Sequence, residues 1–101
     1  MEGLDGLWEV HRLSGALPPL VGVRKRISGR RGETIVVCGP GLQFEVHGNE
    51  LRYLRLPFLV DVLEPVGAGF RGRATAFGRT YGTFELRRVG ATAAAGPPRR
   101  S

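Results

Sequence analysis

Apolar residues in this chain recur at every second position, and that period decides what the chain can become. Leu42, Phe44 and Val46 share one face of Leu42-Gln-Phe-Glu-Val-His47, with polar side chains opposite. Val21, Val23 and Ile27 share a face with Lys25, while Arg24 and Arg26 point the other way. Leu51 and Tyr53 alternate with Arg52. Phe70, Gly72, Ala74 and Ala76 oppose Arg71, Arg73, Thr75 and Phe77, and Phe84, Leu86 and Arg88 oppose Thr83, Glu85 and Arg87. Ile35-Val-Val-Cys38 is a β-branched run suited to a strand, and Trp8 and Val10 mark the first strand. Between Phe58 and Leu63 both faces are apolar, and the row of Phe58, Val60 and Val62 is assigned to the core, opposite the row of Leu59, Asp61 and Leu63.

Turn chemistry punctuates these runs at about 8–12-residue spacing, the mark of a sandwich or barrel. Gly48-Asn49 and Gly78-Arg79 suit two-residue hairpin turns, the second of type II′. Ser28–Gly32, Gly39-Pro-Gly41 and Pro65–Gly69 read as longer loops, and Pro57 breaks or separates strands. Only Ser14–Leu20 has room for a helical turn, which Pro18-Pro19 keeps short. Strands joined so tightly are antiparallel neighbours, and a meander with one apolar face protects its edges by closing on itself. The expected fold is all-β, a compact antiparallel up-and-down barrel of about eight short strands. It occupies residues 1–90 as a single domain, and residues 91–101, without a large apolar side chain, read as a disordered tail.

Composition bounds the function classes. Hydrophobic residues at 42% and charged residues at 24% are globular proportions. No apolar run approaches the ~20 residues of a membrane-spanning helix. The acidic start Met1-Glu-Gly-Leu-Asp lacks a secretory core, and the single Cys38 suits a reducing compartment, so a cytoplasmic location is expected. Lys+Arg number 15 against 9 Asp+Glu, and Lys25 is the only lysine. Such an excess first implies solubility and non-specific attraction to polyanions.

Motif matches mostly dissolve in context. Gly67-Ala-Gly-Phe-Arg-Gly72 fits G-x-G-x-x-G, but a strand follows where a dinucleotide site needs a helix. Arg79–Leu86 fits the RNA-recognition aromatic pattern at too few positions. His11 and His47 fall opposite the apolar rows, and no Cys, His or Asp partner stands at metal-ligand spacing. No catalytic arrangement, metal site or cofactor is assigned from this spacing.

Gly6-Leu7-Trp8 opens the first strand, and the last strand carries Arg88 beside Arg87. This pairing of a G-x-W head with a terminal Arg on an antiparallel meander resembles the calycins: lipocalins, fatty-acid-binding proteins and avidins. The resemblance implies that Trp8 closes one barrel end with Arg88 stacked across it. It further implies a non-enzymatic carrier or sensor binding a small apolar or amphipathic ligand inside the barrel. The chain is shorter than that family's usual length, and an eight-stranded barrel can also be filled by side chains alone.

Candidate cavity residues are Phe44, Tyr53, Phe58, Val60, Asp61, Arg73, Ala74, Tyr81 and Phe84, with Gly72, Ala74 and Ala76 leaving room opposite large side chains. Asp61 interrupts an apolar segment, so it is at an interface, paired to an Arg, or a ligand anchor in a cavity. Apolar residues on both faces of the Leu54–Leu63 region predict a homodimer. The alternative is a nucleic-acid-binding OB-type barrel using Arg24, Arg26, Arg30, Arg71, Arg73 and Arg79, with Phe70, Phe77 or Tyr81 as stacking platforms. A small barrel isomerase or cyclase is a third class.

Overall fold

The computed structural model describes residues 3–17, 22–36 and 40–89. Eight strands follow in chain order: β1 (Gly6–Gly15), β2 (Arg24–Ser28), β3 (Arg31–Ile35), β4 (Leu42–His47), β5 (Glu50–Tyr53), β6 (Leu59–Val66), β7 (Gly69–Ala76) and β8 (Arg79–Arg88). Each pairs antiparallel with the next, and β8 returns to β1 to close the barrel. Val21, Cys38 and the expected tail at 91–101 lie outside the described residues.

The strands reach further into the glycine-rich stretches than their composition suggests. Two-residue turns at Gly29-Arg30, Gly48-Asn49, Gly67-Ala68 and Phe77-Gly78 join four of the strand pairs. The segments 28–32 and 65–69, expected as longer loops, are therefore mostly strand. Pro65 is accommodated because it pairs only with Phe70 on β7, beyond the reach of β5, so its missing N–H breaks no ladder. Ser14 and Gly15, expected in a helical turn, continue β1 opposite Thr83 and Gly82. Pro57 lies in the loop that separates β5 from β6.

One end of the barrel is sealed. Trp8, Ile27, Leu51, Leu63, Phe70 and Leu86 are buried there, with Leu4 folded in from the N-terminal segment. Trp8 donates its indole N–H to the Leu4 carbonyl at 2.8 Å and meets Phe70 edge to face at 5.3 Å. The Arg88 guanidinium lies 4.2 Å from the indole centroid and donates to the carbonyls of Asp5 and Gly3, both at 2.7 Å. Gly6 makes this possible: it has φ +130°, and a Cβ there would meet the Arg88 guanidinium at 2.6 Å. The glycine of the G-x-W triplet is thus a seat for the arginine.

Gly72 plays the corresponding part inside. The Phe84 ring packs against it, in the space a Cβ would occupy. Small residues opposite large ones were expected to leave a cavity; at Gly72 the aromatic ring fills the room instead.

The facing of β6 is the reverse of expectation. Asp61 and Leu63 are buried and Leu59 packs against the core, while Val60 and Val62 lie on the outer row. Asp61 decides this, because its carboxylate joins polar partners from β2 and β5 inside the barrel. Phe58 precedes the strand and is exposed. Leu59 and Leu63 are therefore satisfied within one chain, which removes them from the argument for a homodimer; Leu54, Phe58 and Phe77 keep exposed apolar surface. No helix among the described residues is long and apolar enough to cross a membrane.

Candidate functional site

At the other end the strands splay. β1 pairs with β2 only over Gly6–Glu9, and its ladder with β8 is shifted between Arg12 and Ser14. Beyond these points lies a cavity of about 130 Å³ walled by Val10, Leu17, Val23, Lys25, Thr34, Leu42, Tyr53, Leu59, Asp61, Ala74, Tyr81 and Phe84.

Most of this wall is hydrocarbon, and the polar exception is a single connected group. The Lys25 ammonium donates to Thr34 Oγ1 at 2.7 Å and to Tyr53 Oη at 2.6 Å. It lies 3.3 Å from Asp61 Oδ2, which also accepts the Tyr53 hydroxyl at 2.7 Å. All four side chains are buried, and the rings of Phe44, Tyr53 and Phe84 surround the ammonium at 5.2–5.8 Å. Each member sits on a different strand, so the group straps β2, β3, β5 and β6 together across the barrel.

Burial alone would drive Lys25 towards its neutral amine. Its interactions with Tyr53 and the Asp61 carboxylate, and the hydrogen bonds to both, outweigh burial and raise its pKa above the ordinary 10.5. Tyr53 is also raised above 10.0, by burial first and by Asp61, despite the opposing pull of Lys25. Tyr81, at the rim, is raised by partial burial and the nearby Asp61. Both phenols and the ammonium thus keep their protons at neutral pH. A protonated amine is not a nucleophile, so Lys25 is poised to hold a polar group and not to form a Schiff base.

Of the residues expected in the cavity, the structure brings together Tyr53, Asp61, Ala74, Tyr81 and Phe84. Phe44 is outside this lining and packs edge-on to Tyr53, its cross-strand partner, at 5.7 Å. Phe58, Val60 and Arg73 are not there. Phe58 stacks on Phe77 outside the barrel, Val60 follows the inverted register of β6, and Arg73 is exposed beside Thr80. Lys25 and Thr34 are the members that sequence reasoning did not assign. The signal for Lys25 was nonetheless present: the chain's only lysine stands on the apolar face of its strand, with Arg24 and Arg26 on the opposite face.

Of the arginines of the nucleic-acid alternative, Arg24 and Arg26 approach Glu9 and Glu33 at 3.9 and 3.6 Å across the outer sheet face, and the neighbouring Arg31 approaches Glu45 at 4.0 Å. Arg30, Arg71, Arg73 and Arg79 are exposed and have no carboxylate partner among the described residues. Phe70 is buried against Trp8 and offers no platform, whereas Phe77 and Tyr81 are exposed. His11 and His47 each contact a glutamate two residues away on the same strand, at 3.3 and 3.1 Å. No cluster of metal-ligating side chains occurs among the described residues.

Compared with known proteins, the chain matches no family model, no curated protein and no solved structure.

Proposed function

We propose that this barrel binds a small apolar or amphipathic molecule through its open end, as a carrier or sensor without catalysis. The observation that carries this reading is the cavity of about 130 Å³, with hydrocarbon walls and one hydrogen-bonded polar group. Small-molecule sites have that composition: mostly apolar, with a few convergent polar anchors. Its size sets the scale of the ligand, since a cavity of about 150 Å³ accepts benzene. A molecule held wholly inside is of that order, and a longer amphipath would leave its tail at the rim beside Leu42 and Tyr81. The stack of Arg88 on Trp8 over a sealed far end is similar to the calycin arrangement and supports the same reading.

The test is a ligand-observed NMR screen of single-ring and short-chain compounds, followed by calorimetry. Binding is expected with a negative heat-capacity change and little salt dependence. Ala74→Leu, which fills the cavity from β7, is expected to abolish binding while the barrel still folds. Absence of any binder, or binders unaffected by Ala74→Leu, would exclude this reading.

A further inference from the structure

The hydrogen-bond inventory of the buried group specifies more than a polar anchor. Lys25 has three N–H donors, directed at Thr34 Oγ1, Tyr53 Oη and Asp61 Oδ2. The Tyr53 hydroxyl hydrogen goes to the same Asp61 oxygen. The strong donors are therefore spent within the protein, and the ion pair leaves the group with no net charge. Two capacities are left over. Nothing among the described residues donates to the second carboxylate oxygen, Asp61 Oδ1, although Asp61 is only 5% exposed and lines the cavity. The Thr34 hydroxyl hydrogen has only a long contact, 3.3 Å to Tyr53 Oη.

A buried carboxylate oxygen without a donor is costly, and an incoming donor recovers that cost. Thr34 can donate in return, so a group that both donates and accepts fits both capacities. A second carboxylate would meet Asp61 at close range with only the Thr34 hydroxyl to receive it. A bare hydrocarbon would leave Oδ1 unsatisfied, and a cationic amine would bring a charge beside the Lys25 ammonium. We propose that the cavity selects neutral ligands carrying a hydroxyl or amide hydrogen-bond donor, with that donor on Asp61 Oδ1, and rejects carboxylates. This selectivity rests on the ligand-binding reading above.

Toluene, benzyl alcohol, benzoate and benzylammonium share one ring and differ at the group that would meet Asp61. Their affinities for the full chain, measured by NMR titration at neutral pH, test the proposal. Benzyl alcohol is expected to bind at least about tenfold more tightly than the other three, the scale of one hydrogen bond to a charged acceptor. Asp61→Asn removes the anionic acceptor and leaves the ammonium, so it should move the preference towards benzoate. Benzoate, benzylammonium or toluene matching benzyl alcohol would overturn the selectivity and leave the binding reading standing. Failure of all four to bind would remove that reading, and the selectivity with it. If Asp61→Asn does not fold, the wild-type series decides alone.

Discussion

Lys25 shows what a single residue costs when it sits in the wrong solvent for its charge. An ammonium among Phe44, Tyr53 and Phe84 persists only because Asp61, Tyr53 and Thr34 surround it with acceptors. Removing one partner strands the other. Lys25→Met is therefore expected to destabilise the barrel by about 3–5 kcal/mol in urea unfolding, with Asp61 left buried and unpaired. The double variant Lys25→Met/Asp61→Leu should recover most of that loss, because two hydrocarbon side chains have no desolvation to offset. A double variant as unstable as the single one would show that the pair itself holds the strands together. The same group sets an alkaline limit. Lys25 and Tyr53 both bind their protons more tightly when folded than at their ordinary values of 10.5 and 10.0. Their contribution is complete below those values and is lost as pH rises through the higher folded ones. Melting temperature should accordingly fall above about pH 10, and the fall should flatten in the double variant. The sequence exposed half of this site. Asp61 stood out because a carboxylate interrupts an apolar segment, but its partner lies 36 positions away on another strand (61 minus 25), where no local pattern couples them.

At the scale of elements, the period of two and the tight turns were enough to specify strand number, order and closure. They were not enough where both rows of a strand are apolar. In β6, alternation offers Phe58, Val60 and Val62 or Leu59, Asp61 and Leu63 with equal force. A one-residue change of facing exchanges the entire rows. The deciding contact is tertiary, from Asp61 to Lys25 and Tyr53. The β7–β8 hairpin shows a second limit. Its turn is Phe77-Gly78, with φ +52° and +80°, so both central residues are left-handed as in type I′ and not II′. The register between β7 and β8 shifts between Ala74 and Thr75, and the turn sits one residue before the expected Gly78-Arg79. A phenylalanine with positive φ is strained by about 1–3 kcal/mol. Phe77 is also 80% exposed, and its ring stacks on Phe58 at 4.7 Å, a contact worth about 0.5–1.5 kcal/mol. Phe77→Asn creates the Asn-Gly pair that this turn favours, and is expected to stabilise the hairpin by about 1 kcal/mol. A lower unfolding midpoint in Phe77→Asn would mean that the aromatic stack outweighs the backbone strain.

Over the whole molecule, the barrel divides its labour between a sealed end capped by Arg88 and an open one, and the only buried charges among the described residues are Lys25 and Asp61. Trp8 is completely buried under Arg88, and β1 and β8 meet beside it, so the seal and the closure of the sheet are one structure. Trp8→Ala should cost about 3–5 kcal/mol, the range for truncating a large buried aromatic. A melting temperature unchanged in that variant would show that closure does not depend on the tryptophan. The outer surface carries most of the basic excess, yet Arg24, Arg26, Arg31, Arg52 and Arg87 each stand within 4.0 Å of a glutamate. Exposed pairs of this kind contribute little stability, but they lower the density of positive charge available to a phosphate chain. Arg71, Arg73 and Arg79 are exposed without such a pair among the described residues, and Phe77 lies on their side of the barrel. Any attraction for nucleic acid should therefore centre on β7 and its turn into β8. Single-stranded oligonucleotides are expected to bind at about 10⁻⁴–10⁻⁶ M, without sequence preference and with steep log-linear loss as salt rises. A neutral ligand in the cavity meets a group of no net charge, screened from salt by the barrel wall, so its affinity should stay level across the same titration. Running both titrations on wild type and on Arg71→Ala/Arg73→Ala separates the two surfaces. The variant should lose oligonucleotide binding and keep the cavity ligand. Tight, sequence-selective oligonucleotide binding that collapses in the variant would make the outer face of β7 the functional surface, and the cavity a structural by-product of the splayed end.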